Sequence, residues 1–329
     1  MSYRDYQNRF DRSVWPEPGA AAGRACVPWP RPPRYRIERA SRGYRVVGEG
    51  TVVWEETLRE AAQCREELVG ATAPAAAAPA PGALPEATVS AAIAYGPVAS
   101  RRFGRSLGID LTPRGCRACN FDCIYCEFGD VPRAEGCVRW PSPGDVRHAL
   151  MQTLGTADRI DSITISGHGE PTLHPDFAAA TAEILGEARR SRSDVPVRIL
   201  TNGTLATCPS VRRALDQLDE RIVVVDAAAG RVNRPARGCP LGALVAGLLL
   251  LRDVSVQSCF IGGAVSNCDP SCVAAWAELV AELRPRRVQI HTINHRPARA
   301  DVRPLACAQL EEIACVLRAR TGIEADVYA

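Results

Sequence analysis

Lysine is absent from this chain. All 40 cationic side chains are arginine, set against 37 acidic residues for a formal net charge of +3 over 329 residues. The absence removes whole classes of chemistry. A Schiff-base lysine of the kind that holds pyridoxal phosphate cannot form, and neither a Walker A phosphate loop nor a kinase-type lysine can be built. The near balance of charge argues against a strongly basic nucleic-acid binder, although local basic patches stay open. Aromatic residues are few, at 5%. Long apolar runs are also missing: the longest, Leu241 to Leu251, is too short to span a bilayer. The first residues, with Arg4, Asp5, Arg9, Asp11 and Arg12, hold no apolar stretch of the signal-peptide kind. The expectation is a cytoplasmic protein with reduced thiols.

The rest of the composition is that of a soluble globular protein, 46% hydrophobic and 23% charged, long enough for one large domain or two small ones. Fourteen cysteines in 329 residues fall well below the roughly 8–10% of a disulfide scaffold. In a reducing compartment, clustered cysteines point to metal binding or catalysis before disulfides.

Three regions divide the chain. Residues 1–70 begin as an arginine-, proline- and tryptophan-rich arm to residue 33. Candidate strands follow at 34–39, 43–47 and 51–54, then an amphipathic helix over 57–68, which together make a small α+β unit. Residues 71–87 are Ala/Pro repeats, whose prolines forbid a continuous helix and favour a semi-rigid linker. Residues 88–329 change texture. Strand candidates at 106–111, 162–166, 197–200, 222–225, 254–261, 288–292 and 323–327 alternate with helical candidates at 144–154, 175–190, 210–218, 241–252, 271–283 and 307–320. Alternation of this kind predicts βαβ units on a parallel sheet. The number of units predicts an α/β fold of the partial (β/α)6 TIM-barrel type, with its site at the C-terminal strand ends.

The chemistry concentrates in the segment after the first core strand, Cys116-Arg-Ala-Cys119-Asn-Phe-Asp-Cys123-Ile-Tyr-Cys126. Cys119, Cys123 and Cys126 have the spacing C-x3-C-x2-C. Three thiolates on one short loop can each take one iron of a cubane cluster and leave the fourth iron open. A structural zinc site wants four ligands, and a bacterial ferredoxin shows C-x2-C-x2-C with a further Cys-Pro.

This triplet, with Tyr125 before its third cysteine, resembles the signature of the radical S-adenosylmethionine (radical SAM) superfamily. The lead-in from Tyr95 to Leu111 resembles one branch of it, the iron–sulfur oxidoreductases related to tRNA wybutosine-synthesis enzymes. The resemblance covers roughly residues 93–328. It implies a [4Fe-4S] cluster on Cys119, Cys123 and Cys126, with S-adenosylmethionine as the second cofactor. It also implies reductive cleavage to a 5′-deoxyadenosyl radical, with reduced ferredoxin or flavodoxin as electron donor. Ser166-Gly167-His168-Gly169-Glu170-Pro171 is similar to the motif that holds the SAM amino group. Thr201-Asn202-Gly203 is similar to the ribose-contacting turn, and Asp226 is placed facing SAM. The resemblance thus assigns Tyr125, Gly167, Gly169, Glu170, Asn202 and Asp226 to the cofactor. His168 stands where the superfamily often has glycine, and the Ala-Ala-Ala-Gly after Asp226 is featureless.

Plainer readings stand beside these. Gly169 and Glu170 also suit a strand-to-helix turn, Asn202-Gly203 a generic turn, and Asp226 a helix cap. Cys116, Cys137, Cys268 and Cys272 read as packing residues, and His148, His174, His291 and His295 as structural or solvent-facing. Two rivals stay open: a non-catalytic iron–sulfur protein that transfers or senses electrons, and a radical SAM enzyme that modifies tRNA. The N-terminal unit, with ten arginines against four acids in residues 1–48, reads equally as a dock for RNA or an electron donor and as a solvated tail.

Overall fold

The computed structural model describes residues 36–40, 43–47, 93–113, 116–129, 131, 139–157, 159–227, 232–235, 247–295, 297 and 299–329. The arm, the strand at 51–54, the helix at 57–68, the linker, Cys137, Arg296 and the first half of the helix expected over 241–252 lie outside these residues. Of the N-terminal unit, strands β1 (Arg36–Ala40) and β2 (Gly43–Val47) pair as an antiparallel hairpin.

The main sheet has eight strands. In chain order they are β3 (Ala94–Ser100), β4 (Gly104–Ile109), β6 (Ser162–Ile165), β7 (Val197–Thr201), β8 (Glu220–Val224), β10 (Val254–Cys259), β12 (Arg287–His291) and β14 (Ala325–Tyr328). Their spatial order follows the chain without reversal. All neighbours are parallel except β3, which runs antiparallel to β4 at one edge. Right-handed crossovers without a reversal place the helices on one face and let the sheet curl toward its other face. The two edges approach each other where the Arg101 guanidinium, in the β3–β4 turn, donates to the backbone carbonyl of Ala329. This is the partial barrel expected from the alternation. The strand β3 was not among the expected ones, because its Gly-Pro and small residues give no apolar period.

The helices are α1 (Pro143–Thr156), α2 (Phe177–Ser191), α3 (Pro209–Leu215), α4 (Pro270–Leu283) and α5 (Cys307–Thr321). Helix α1 starts in a reciprocal cap: Asp145 N–H donates to Ser142 Oγ at 3.1 Å, and Ser142 N–H donates to Asp145 Oδ2 at 2.9 Å. Such caps contribute about 1 kcal/mol. Of the helix expected over 241–252, residues 247–248 are helical and 249–250 form a turn, and the residues before 247 lie outside the described ones.

Strand alternation separates two environments. Leu107, Ile109, Ile163, Ile165, Val197, Ile199, Val223, Val254, Val256, Val288 and Ile290 pack in one core with the helices, each fully buried side chain contributing about 1.5–3 kcal/mol. The intervening residues face the concave side, and they are largely polar. Ser106 Oγ and Thr164 Oγ1 share a buried hydrogen bond of 2.7 Å there. Two small ladders sit at the mouth: β5 (Phe121–Cys123) pairs with β9 (Asn233–Pro235), and β11 (Gly262–Gly263) with β13 (Val302–Arg303).

Candidate functional site

The cysteine loop lies across the C-terminal ends of the strands and is tied to each in turn. At the end of β6, Glu170 N–H donates to the Ala118 carbonyl at 2.8 Å. The approach is so close that a Cβ on Gly169 would lie 1.9 Å from that same oxygen, so only glycine fits. At the end of β7, Asn120 Nδ2 donates to Thr204 Oγ1, Asn202 Nδ2 donates to Asn120 Oδ1, and Thr204 Oγ1 donates to Asn202 Oδ1, at 2.7–2.8 Å. This buried triangle closes on itself. At the end of β8, Tyr125 Oη donates to Asp226 Oδ2 at 2.5 Å. Beyond β12, His295 Nε2 donates to the Tyr125 carbonyl at 3.2 Å. The β5–β9 ladder and the Ile124 N–H bond to the Val232 carbonyl, 3.0 Å, hold the loop from outside.

The structure brings the sequence-assigned residues into this one region, and gives several of them internal partners. Glu170 is 2% exposed. Its Oε1 accepts from Thr172 N–H, Thr172 Oγ1 and Thr201 Oγ1, and its Oε2 from Asn202 N–H at 2.7 Å. The carboxylate therefore joins the turn after β6 to the turn after β7, although burial still pushes its pKa up. Asp226 accepts from Cys259 N–H at 2.6 Å as well as from Tyr125. Gly167 packs against the Asp110 carboxylate. Asp110 accepts from Thr112 through Oδ1, and its Oδ2 pairs with His168 Nδ1. This pairing raises the His168 pKa. The carbonyls of Gly167, His168 and Gly169 accept no bond among the described residues, so that backbone is open to a ligand amine.

Asn120, Asp110 and Arg117 belong to the site and were not singled out from the sequence. Asn120 carried a usable signal, since it stands between two of the cysteines. His291 and His295 are also not scattered: both sit at the barrel mouth, while His148 pairs with Gln152 on the surface and His174 donates to the Pro141 carbonyl.

None of Cys119, Cys123 and Cys126 is disulfide-bonded. Burial pushes all three thiols up, Cys119 to about 12, and the charges of neighbouring cysteines act on Cys119 and Cys123. Such thiols stay protonated until a cation displaces the protons. Among the described residues, no three His, Cys, Asp or Glu side chains converge as ligands of a single ion do. A cubane asks for something else, one thiolate on each of three irons. Arg117 is 5% exposed, pairs with Asp122 at 3.0 Å and lies beside Cys126, yet its Nε is buried without a partner. A buried donor of that kind suits the sulfur of an anionic cluster. The donor set thus fits a three-thiolate iron–sulfur group. Cys116 donates weakly to the Pro113 carbonyl at 3.8 Å. Cys272 is disulfide-bonded, which corrects the expectation that it is a packing thiol and that every cysteine is reduced.

Comparison with known proteins places this region in a known superfamily. The family model described as "Radical SAM superfamily" matches residues 115–231, which carry the loop and the ends of β6, β7 and β8. The chain is 30% identical over 227 residues to UPF0026 protein MJ1312 of Methanocaldococcus jannaschii, covering 64% of this chain and 67% of that protein. It is 37% identical over 150 residues to a UPF0026 protein of Helicobacter pylori, covering 44% of this chain and about half of the relative, 46%. Among solved structures it is similar to SuiB of Streptococcus suis bound to S-adenosylmethionine, with 12% identity, TM-score 0.48, and coverage of 67% of this chain and 50% of that one. The chain belongs to the UPF0026 proteins of the radical SAM superfamily. That superfamily uses a [4Fe-4S] cluster and S-adenosylmethionine. No helix among the described residues is long and apolar enough to cross a membrane.

Proposed function

We propose that this protein is a radical SAM enzyme in which Cys119, Cys123 and Cys126 hold the [4Fe-4S] cluster. When bound, cluster and S-adenosylmethionine together supply a 5′-deoxyadenosyl radical by one-electron reductive cleavage. The observation that carries the reading is the loop itself: three thiols in the C-x3-C-x2-C spacing, with Cys116 three residues before them, fastened to the ends of β6, β7 and β8 by groups that are already hydrogen-bonded. The chain's own contribution is positioning. The Glu170 N–H bond to the Ala118 carbonyl and the Asn120–Asn202–Thr204 triangle fix the loop against two strand ends, which the Glu170 carboxylate joins to each other. The carbonyls of residues 167–169 offer acceptors for the SAM ammonium. Burial of the loop excludes water from a reactive intermediate.

Gly167, Gly169, Glu170, Asn202, Tyr125 and Asp226 act in this reading mainly by shaping the cofactor pocket. The electron comes from reduced ferredoxin or flavodoxin, in a cytoplasmic setting that keeps the cluster thiols available. The test is anaerobic reconstitution with iron and sulfide, then SAM and dithionite. Formation of 5′-deoxyadenosine is expected. A protein that holds iron but neither binds nor cleaves SAM is the electron-transfer rival instead.

A further inference from the structure

The concave face beneath the loop carries a set of buried polar atoms that the cofactor site does not use. Gln289, on β12, is fully buried and neither its amide nitrogen nor its amide oxygen has a partner. Gln257, its register partner on β10, has an orphaned Oε1. Arg198 on β7 and Arg102 from the β3–β4 turn each have a buried, unpartnered Nη1. Arg102 and Arg198 both stack on the Phe103 ring, their guanidinium carbons lying 5.6 and 5.5 Å from its centre. The Arg102 charge also acts on Cys259, Tyr328 and His291 at the ends of β10, β14 and β12. These groups belong to the concave side of the sheet and to the turn at its edge.

Its charge is unbalanced. Arg198 pairs with Glu220 at 2.7 Å, and Arg287 pairs with Asp326. Arg102 has no acid within ion-pair distance among the described residues, and Glu127 of the cysteine loop acts on it only from farther off. His291 adds no charge: its Nδ1 donates to the Thr292 carbonyl, and its Nε2 accepts from Gln257 Nε2 at 3.2 Å. A guanidinium cannot shed its proton, and Arg102, which is partly buried, has an unpaired charge whose buried Nη1 is costly to leave without a partner. Orphaned buried amides are costly too. Five such atoms on one face ask for a ligand that supplies one negative charge with further acceptors and donors.

We propose that the barrel interior binds a small carboxylic acid as the substrate, its carboxylate on the forked donors of Arg102 and Arg198 and its remaining polar groups on Gln257 and Gln289. The assignment to a substrate rests on the radical SAM reading above. One net positive charge matches one carboxylate better than a phosphate dianion, and the guanidinium fork matches its two oxygens.

The test uses the full chain, purified anaerobically, with propionate as probe, propionamide as its neutral counterpart and inorganic phosphate as a second anion. Propionate is expected to raise the Tm, propionamide to leave it unchanged, and phosphate to raise it less. Arg102→Met should abolish the propionate effect and raise the Tm of the ligand-free protein, because an unpaired, partly buried charge has gone. Arg102→Lys, which keeps the charge and loses the fork, should retain a smaller propionate effect. No propionate effect in the wild type, or the same effect in wild type and Arg102→Met, overturns the proposal. A lower ligand-free Tm in Arg102→Met also overturns it, since the guanidinium then already has its partner. Loss of SAM binding in parallel with loss of propionate binding would put Arg102 on SAM's own carboxylate and equally overturn it. The Tm readout needs no turnover: propionate binding through Arg102 in a protein that makes no 5′-deoxyadenosine would sink the radical reading and leave the carboxylate site standing.

Discussion

The loop side of the barrel mouth and the concave face beneath it are built on opposite principles. Around the cysteine loop nearly every polar group has a protein partner: Glu170 accepts four bonds, Asp226 at least two, and Asn120, Asn202 and Thr204 close a triangle. On the faces of β7, β10 and β12, Gln257 and Gln289 are buried and Arg198 is partly so, each with a buried atom left over. A fully satisfied network is rigid and holds one geometry, whereas a partly satisfied one is high in energy until something fills it. The difference separates a region that must be in place before SAM arrives from one that is completed by its ligand.

The sharpest break in that contrast is removal of a thiol. Cys119→Ala, Cys123→Ala or Cys126→Ala should each abolish iron incorporation and 5′-deoxyadenosine formation, measured by iron and sulfide content and by chromatography. Cys208→Ala should retain iron, because that side chain packs with Ser210 at the start of α3. Full iron in any of the three loop variants would show the ligands to be elsewhere.

Next in size is Gly169→Ala. The added Cβ meets a backbone oxygen at 1.9 Å, so the loop or the β6 turn has to move. The cost should be about 3 kcal/mol, the upper end of overpacking effects, read by urea denaturation, together with weaker SAM binding. An unchanged midpoint would mean the loop does not approach β6 as closely as described.

Tyr125→Phe tests a single tie. It leaves the buried Asp226 carboxylate without the Tyr125 donor and should cost about 1–2 kcal/mol. A double-mutant cycle with Asp226→Asn should return a coupling of about 1 kcal/mol. Strict additivity would show that the two side chains do not interact.

Much of the frame was legible in the sequence because its signals are local. Strands β4, β6, β7, β8, β10, β12 and β14 fall within a few residues of the expected runs, and C-x3-C-x2-C marks the loop from eight contiguous residues. What escaped notice depends on distance along the chain. Glu170 finds partners at Thr201 and Asn202, and Tyr125 meets Asp226 across 101 positions. A motif read alone cannot show that a carboxylate in a cofactor signature is engaged by the protein itself. The polar concave face had a signal that went unused. Val254-Ser-Val-Gln-Ser-Cys259 and Arg287-Val-Gln-Ile-His291 alternate apolar and polar, which in a strand buried on both sides means one greasy and one polar wall. Arg102 was present in the lead-in that carries the family resemblance, but nothing local distinguishes it from Arg101 beside it.

The smallest expected effect concerns the edge of the satisfied region, where His168 pairs with the buried Asp110 while its ring stays about half exposed, 48%. The hydrogen bond to Asp110 raises the His168 pKa in the folded state. A raised histidine contributes stability fully below its unfolded value of about 6.5 and loses it as pH rises through the folded value. Two other histidines shift the opposite way: burial lowers His174, and lowers His291 to about 3. Their effect is confined to pH below about 6.5, where acid favours the unfolded chain. The interval just above pH 6.5 therefore isolates His168. Denaturation midpoints should fall modestly across that interval in the wild type, and the fall should be smaller in His168→Gln, while both proteins should weaken alike below it. An identical slope in the two proteins above pH 6.5 would show that solvent screens the pair completely and that the satisfied network ends at Asp110.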